Sequence, residues 1–180
     1  ENTVISQDPS LNGGRVRSID FCDSSSVMMA TGDDLAVYAI TDQHTLGDKL
    51  LHVNRTAVGT DSMWAVPYMK CTKTGNGEYL FASNTPYEGE KAGETRDGSE
   101  ERGEVRVYGF KDGTLSLVSV LPGFDGTPYG GPYGAGSWWM DFSQNGKAII
   151  TGYHNANSRT LDGLAGGGAV IYKTKGDYAG

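Results

Sequence analysis

Three stretches of the chain repeat one pattern of strands and turns, and a repeat of this kind limits the fold more than any single motif. The first stretch covers residues 15–22, 27–32 and 35–40; the second covers 63–69, 78–83 and 104–110; the third covers 137–142, 147–152 and 168–173. Each reads strand, polar turn, strand, variable loop, strand. The third strand of each copy carries a matching signature: Ala36-Val37-Tyr38, Arg106-Val107-Tyr108 and Val170-Ile171-Tyr172. The polar turns lie at 23–26, 74–77 and 144–147. In the last two, Asn76-Gly77 and Asn145-Gly146 supply the positive φ angles that a tight hairpin demands. A fourth strand follows two of the copies, at 50–54 and 114–120. The alternation of Leu115, Ser116 and Leu117 suits a strand with one buried face.

Composition agrees with short strands joined by turns. Glycine accounts for 27 of 180 residues, beside 10 Tyr, 5 Phe and 3 Trp. The glycines follow no three-residue period, which excludes collagen. No long stretch combines a 3.6-residue period with helix caps. These observations predict one all-β domain, residues 1–180, built of β-propeller-type blades. Three four-stranded antiparallel repeats are expected at about 14–61, 62–121 and 136–180, with a Gly/Pro/Tyr-rich connection at 122–136.

The repeats are out of phase with the chain. The third copy stops after its third strand. Residues 1–13 hold Asn2-Thr3-Val4-Ile5-Ser6-Gln7, which reads as the missing fourth strand of a neighbouring blade. Propellers carry about 4–8 blades. Either two chains close a six-bladed ring, or the chain belongs to a larger propeller, or it forms a compact three-bladed body. The start at Glu1, with no secretory leader visible, reads as a removed leader or as a piece of a longer protein.

The formal net charge is −7, with a pI of about 4.9. Such acidity disfavours nucleic acid as a partner. No apolar run approaches the roughly 18 residues of a membrane helix, so no membrane span is expected.

Residues 136–152 (Gly136-Ser-Trp-Trp-Met-Asp-Phe-Ser-Gln-Asn-Gly-Lys-Ala-Ile-Ile-Thr-Gly152), followed by Gly166-Gly-Gly-Ala-Val-Ile-Tyr172, resemble the FG-GAP-type repeat of integrin-α-like propellers. The third copy fits best, the second well and the first loosely, over about residues 14–175. The resemblance implies a bladed propeller of an extracellular or surface protein. It implies a role in adhesion, recognition or assembly, seldom enzymatic. The family's Asp-rich calcium loop is missing from all three copies, so no metal or cofactor is assigned, and Ca2+ is a candidate without a loop motif.

Several residues are candidate sites. Phe124, Tyr129, Tyr133, Trp138 and Trp139 could form an aromatic platform for a peptide or glycan, or pack among themselves between blades. Glu88, Glu90, Glu94, Asp97, Glu100 and Glu101 lie in a mixed-charge loop: a recognition loop for a basic partner, a weak calcium site, or a solvated insertion. Trp64 and Trp138, aligned opposite Arg17, read as packing between blades. Asp20 and Asp141 are equivalent inner-strand positions that could line a channel or hydrogen-bond a neighbour's amides. His44, His52 and His154 lack ligand spacing, and Asn155, Asn157 and Asp162 make a poor calcium loop. Cys22 and Cys71 could form one disulfide, implying an oxidising compartment, or remain buried thiols. Asn54-Arg55-Thr56 is an N-glycosylation acceptor triplet. Catalytic elbows and phosphate loops are absent from the sequence. The reading is a non-enzymatic binding or assembly module, with a protein partner or second copy. The alternative is a propeller-type hydrolase or lactonase with acidic residues around a channel metal.

Overall fold

The computed structural model describes residues 16, 18–31, 34–54, 69–84, 105–121, 137–156 and 166–174. They form three antiparallel sheets, each a meander of strands consecutive in the chain. The first comprises β1 (Ser18–Asp23), β2 (Ser26–Ala30), β3 (Asp34–Ile40) and β4 (Leu46–Asn54). The second comprises β5 (Met69–Lys73), β6 (Tyr79–Asn84), β7 (Val105–Lys111) and β8 (Thr114–Leu121). The third has three strands: β9 (Ser137–Phe142), β10 (Ala148–Ala156) and β11 (Gly166–Lys173).

The turns follow from local chemistry. Between β9 and β10, Asn145 and Gly146 take φ of 63° and 67°, the left-handed pair that Asn-Gly tolerates. Between β7 and β8, Asp112 and Gly113 do the same at 51° and 79°. The β1–β2 turn has no glycine. Asp23 Oδ1 instead accepts from the Ser25 amide (2.8 Å), the Ser25 hydroxyl (3.0 Å) and the Ser26 hydroxyl (2.7 Å). A carboxylate that satisfies nearby turn groups is the usual alternative to a glycine hairpin.

Register fixes which residues are equivalent. Phe21 faces Val27, which faces Tyr38. Cys71 faces Phe81, which faces Tyr108. Phe142 faces Ile149, which faces Tyr172. This corrects the alignment of the second repeat, whose inner strand was expected at 63–69 and is found at Met69–Lys73. Residues 63–68, Trp64 among them, lie outside the described residues.

The sheets stack in one sense. Cys22, Met28, Leu35 and Val37 of the first sheet pack against Cys71, Phe81 and Tyr108 of the second. The opposite face of the second sheet, Leu80, Ala82, Val105 and Val107, packs against Met140 and Ile149 of the third. Alternation along the strands thus feeds a core on each side of the second sheet, and a third cluster, Val27, Met29, Ala36 and Tyr38, on the outer face of the first. Phe81 and Tyr108 are the largest side chains with almost no exposure. Large aromatic area removed from water at the centre of the first junction is its main stabilising term.

Candidate functional site

The first strands of the three sheets lie side by side, and their junctions hold the densest polar chemistry described. Ser18 Oγ donates to the Met69 carbonyl (2.9 Å) and accepts from the Met69 amide (3.0 Å). Asp20 Oδ2 accepts the Cys71 amide at 2.9 Å. The Lys70 ammonium lies 3.2 Å from Asp20 Oδ1 and 3.8 Å from Asp141 Oδ1. By register, Asp20, Lys70 and Asp141 are the same position in successive sheets. One cation therefore bridges two carboxylates across both junctions. The Cys22–Cys71 disulfide joins β1 to β5 beside this seam.

Around the Asp23 turn, the Lys73 ammonium lies 3.6 Å from Asp23 Oδ2. Partial burial opposes the charge on Asp23. Hydrogen bonds from Ser26 and Ser25, together with the Lys73 charge, outweigh it and hold the carboxyl below the usual aspartate range.

A second polar cluster closes the outer end of the first sheet. The carboxylate of Asp34 is fully buried; Asn54 Nδ2 donates to its Oδ1 (2.9 Å), and His52 Nε2 lies 3.1 Å from the same oxygen. The Asp34 amide donates to Thr31 Oγ1 at 3.0 Å. A buried carboxylate requires such partners. The Asn54 amide nitrogen, the atom that glycosylation would modify, is engaged in this cluster.

The two junctions differ at their outer edges. Between the first and second sheets, fourth strands from both sides supply apolar side chains, Leu51 and Val53 from β4 and Leu115 from β8. Between the second and third, a cavity of about 270 Å³ opens among Leu80, Val107, Leu121, Phe142, Ile149 and Tyr172, with Lys173 and Thr174 on its rim. Among the described residues the third sheet has no fourth strand, and β11 is its edge.

The end faces carry exposed apolar residues. Ile150 and Ile171, adjacent on β10 and β11, are 43% and 67% exposed. Their register equivalents, Met28 and Val37 in the first sheet and Ala82 and Val107 in the second, are buried by the next sheet. At the other end, Ile19 and Phe21 on β1 are 56% and 70% exposed, whereas Val27, Met29, Ala36 and Tyr38 on the same face are buried.

Of the sequence-derived candidates, Asp20 and Asp141 come together through Lys70. Trp138 and Trp139 belong to β9, with Trp139 opposite Gly152 in the ladder. Phe124, Tyr129, Tyr133 and Glu88, Glu90, Glu94, Asp97, Glu100 and Glu101 lie outside the described residues, as do Asn157 and Asp162. Among the described residues, no cluster of three or more His, Cys, Asp or Glu side chains is placed to hold a metal ion. No helix among them is long and apolar enough to cross a membrane. Sequence reasoning missed Lys70. Its signal is a charge reversal at one repeat position, visible only once the second copy is in register. It also missed Asp34, whose partners His52 and Asn54 become neighbours only through the β3–β4 pairing.

Comparison with known proteins gives no matching family model and no matching curated protein.

Proposed function

We propose that this chain is a non-enzymatic assembly and binding module, in which the three sheets act as FG-GAP-like propeller blades and a second copy adds head to tail. The observation that carries the reading is the exposed pair Ile150 and Ile171. They occupy the positions that the first two sheets bury against their successors, so the third sheet presents a packing face with no described successor. Ile19 and Phe21, on the β1 margin of the opposite face of the first sheet, offer exposed apolar surface there, beside the buried Val27, Met29, Ala36 and Tyr38 of that face. The contact is heterologous, and it closes a ring when the rotation between sheets permits. Six sheets from two copies fall within the range of known propellers.

The Cys22–Cys71 disulfide supports an oxidising compartment, either extracellular or at a cell or particle surface. Recognition of a protein or glycan by the stretch around 122–136 belongs to the same reading. The hydrolase alternative draws on Asp20 and Asp141. Both oxygens of Asp20 are occupied, one by Lys70 and one by the Cys71 amide, which favours a role in joining sheets.

Sedimentation equilibrium tests the proposal. The expected mass is twice that of the chain, reduced to one chain by the double substitution Ile150→Lys and Ile171→Lys. A wild-type chain that remains monomeric up to high micromolar concentration would overturn it.

A further inference from the structure

We infer that the cavity between the second and third sheets is a binding site for a small, uncharged, largely apolar molecule that carries a hydroxyl group. The site lies within one copy and does not depend on the assembly proposed above.

The first junction shows how the cavity is built. Both junctions share a backbone feature: β4 and β8 each carry an extra residue, Leu50 between the partners of Val37 and Tyr38, and Val118 between those of Val107 and Tyr108. Such a bulge re-aims the side chains beside it. The side chains themselves differ. Ser119, opposite Val107, stands where Leu51 stands opposite Val37. Ile149 stands where Phe81 does. Thr174 follows Tyr172 by two residues, as Phe110 follows Tyr108. Leu51, Phe81 and Phe110 all pack into the first core. Their three counterparts are smaller, and all three line the cavity of about 270 Å³. The space is therefore set by side chains, at positions that the same chain fills elsewhere.

The lining specifies the occupant. Leu80, Val107, Leu121 and Ile149, with the rings of Phe142 and Tyr172, favour an apolar body. Apolar cavities of about 150 Å³ admit benzene, so this one has room for about ten non-hydrogen atoms. Two hydroxyls border it, Ser119 from the second sheet and Thr174 from the third. Thr174 Oγ1 donates its proton to the Gly146 carbonyl, so toward the cavity it can only accept. The occupant must therefore offer a donor, while Ser119 can donate or accept. Lys173 borders the rim, but alternation sends its side chain to the face of β11 opposite Tyr172. A carboxylate would lose hydration in the cavity without gaining a cation.

Methyl NMR titration of the full chain tests the site, with benzyl alcohol, benzyl methyl ether and benzoate as probes. Benzyl alcohol should shift the methyl signals of Leu80, Val107, Leu121 and Ile149 saturably, with a Kd of about 1 mM or tighter. The ether, which cannot donate, and benzoate, which is charged, should each bind more weakly by about fivefold or more. Ser119→Trp, at an exposed position beside the mouth, should abolish the shifts and leave the fold intact by circular dichroism. Thr174→Val gives an independent reading: it should remove the preference for alcohol over ether. Absence of saturable shifts with benzyl alcohol overturns the inference, as do shifts that survive Ser119→Trp unchanged. Equal or tighter binding of the ether or of benzoate to the wild-type chain overturns the assigned chemistry.

Discussion

The two junctions of this protein are built from the same strands in the same order, yet they are held by different means. The first is joined covalently by Cys22–Cys71, by the paired hydrogen bonds of Ser18 with Met69, and by the Asp20 contacts to Lys70 and the Cys71 amide. Its outer edge is closed by fourth strands from both sheets. Among the described residues, the second shows apolar packing and a 3.8 Å ion pair, and its outer edge opens into a cavity. A tandem array can thus share one blueprint and still divide into a covalently joined pair of sheets and a third held mainly by apolar packing. In arrays of this kind, each interface contributes separately to stability.

The contrast can be broken most severely at Phe81 and Ile149, the same position in the two junctions. Phe81→Ala should cost about 3–5 kcal/mol, measured by denaturant unfolding. Ile149→Ala should cost about 2–3 kcal/mol, at the low end for such a change, because Ile149 already borders a void. Equal losses would mean that the cavity is not a weak point.

Next in size is the disulfide. Replacing Cys22 and Cys71 with Ala should cost about 2–4 kcal/mol through the freedom returned to the unfolded chain. Amide exchange should then become similar at the two junctions. If β1 and β5 stay more protected than β9, the hydrogen-bonded seam dominates over the covalent link.

Lys70→Met tests the only described cation that touches both junctions. Loss of an ion pair exposed to solvent costs up to about 1 kcal/mol, and salt should abolish the difference between variant and wild type. A salt-independent loss would assign the effect to the lysine's alkyl stem.

The smallest effect is expected from acid. Asp23 has its folded pKa lowered, so its stabilisation is fully present above the unfolded value of about 3.9 and is lost as pH falls through that value toward the folded one. Asp23 pairs with Lys73, so this loss should act on the first junction. Unfolding midpoints from pH 6 down to pH 2 should fall less steeply for Asp23→Asn than for wild type.

Much of this fold is legible in the sequence because its signals are local. Asn145-Gly146 announces a hairpin, and the Val-Tyr or Ile-Tyr pairs mark the third strands wherever they occur. What could not be read was relational. Lys70 becomes equivalent to Asp20 and Asp141 only when the second copy is shifted past Pro67, and strand propensity alone does not fix that register. Asp34, His52 and Asn54 are separated in the chain and meet only across a ladder. The cavity beside Tyr172 lies where, among the described residues, the third sheet has no fourth strand, and no local motif marks that position. The equivalence of Asp20 and Asp141 was visible; the lysine between them was not.

The consecutive strand order also sets how the chain must find its fold. Each sheet forms by closing hairpins between neighbours in sequence, so its pairings require only short loops and should be fast. The seam is different: Ser18 and Met69 are 51 residues apart. Docking the first sheet on the second must therefore wait until both have largely formed, and loop closure at that step carries the greater entropic cost. Refolding with the disulfide intact removes most of that wait, whereas refolding from the reduced chain should show a slower phase tied to oxidation at Cys22 and Cys71.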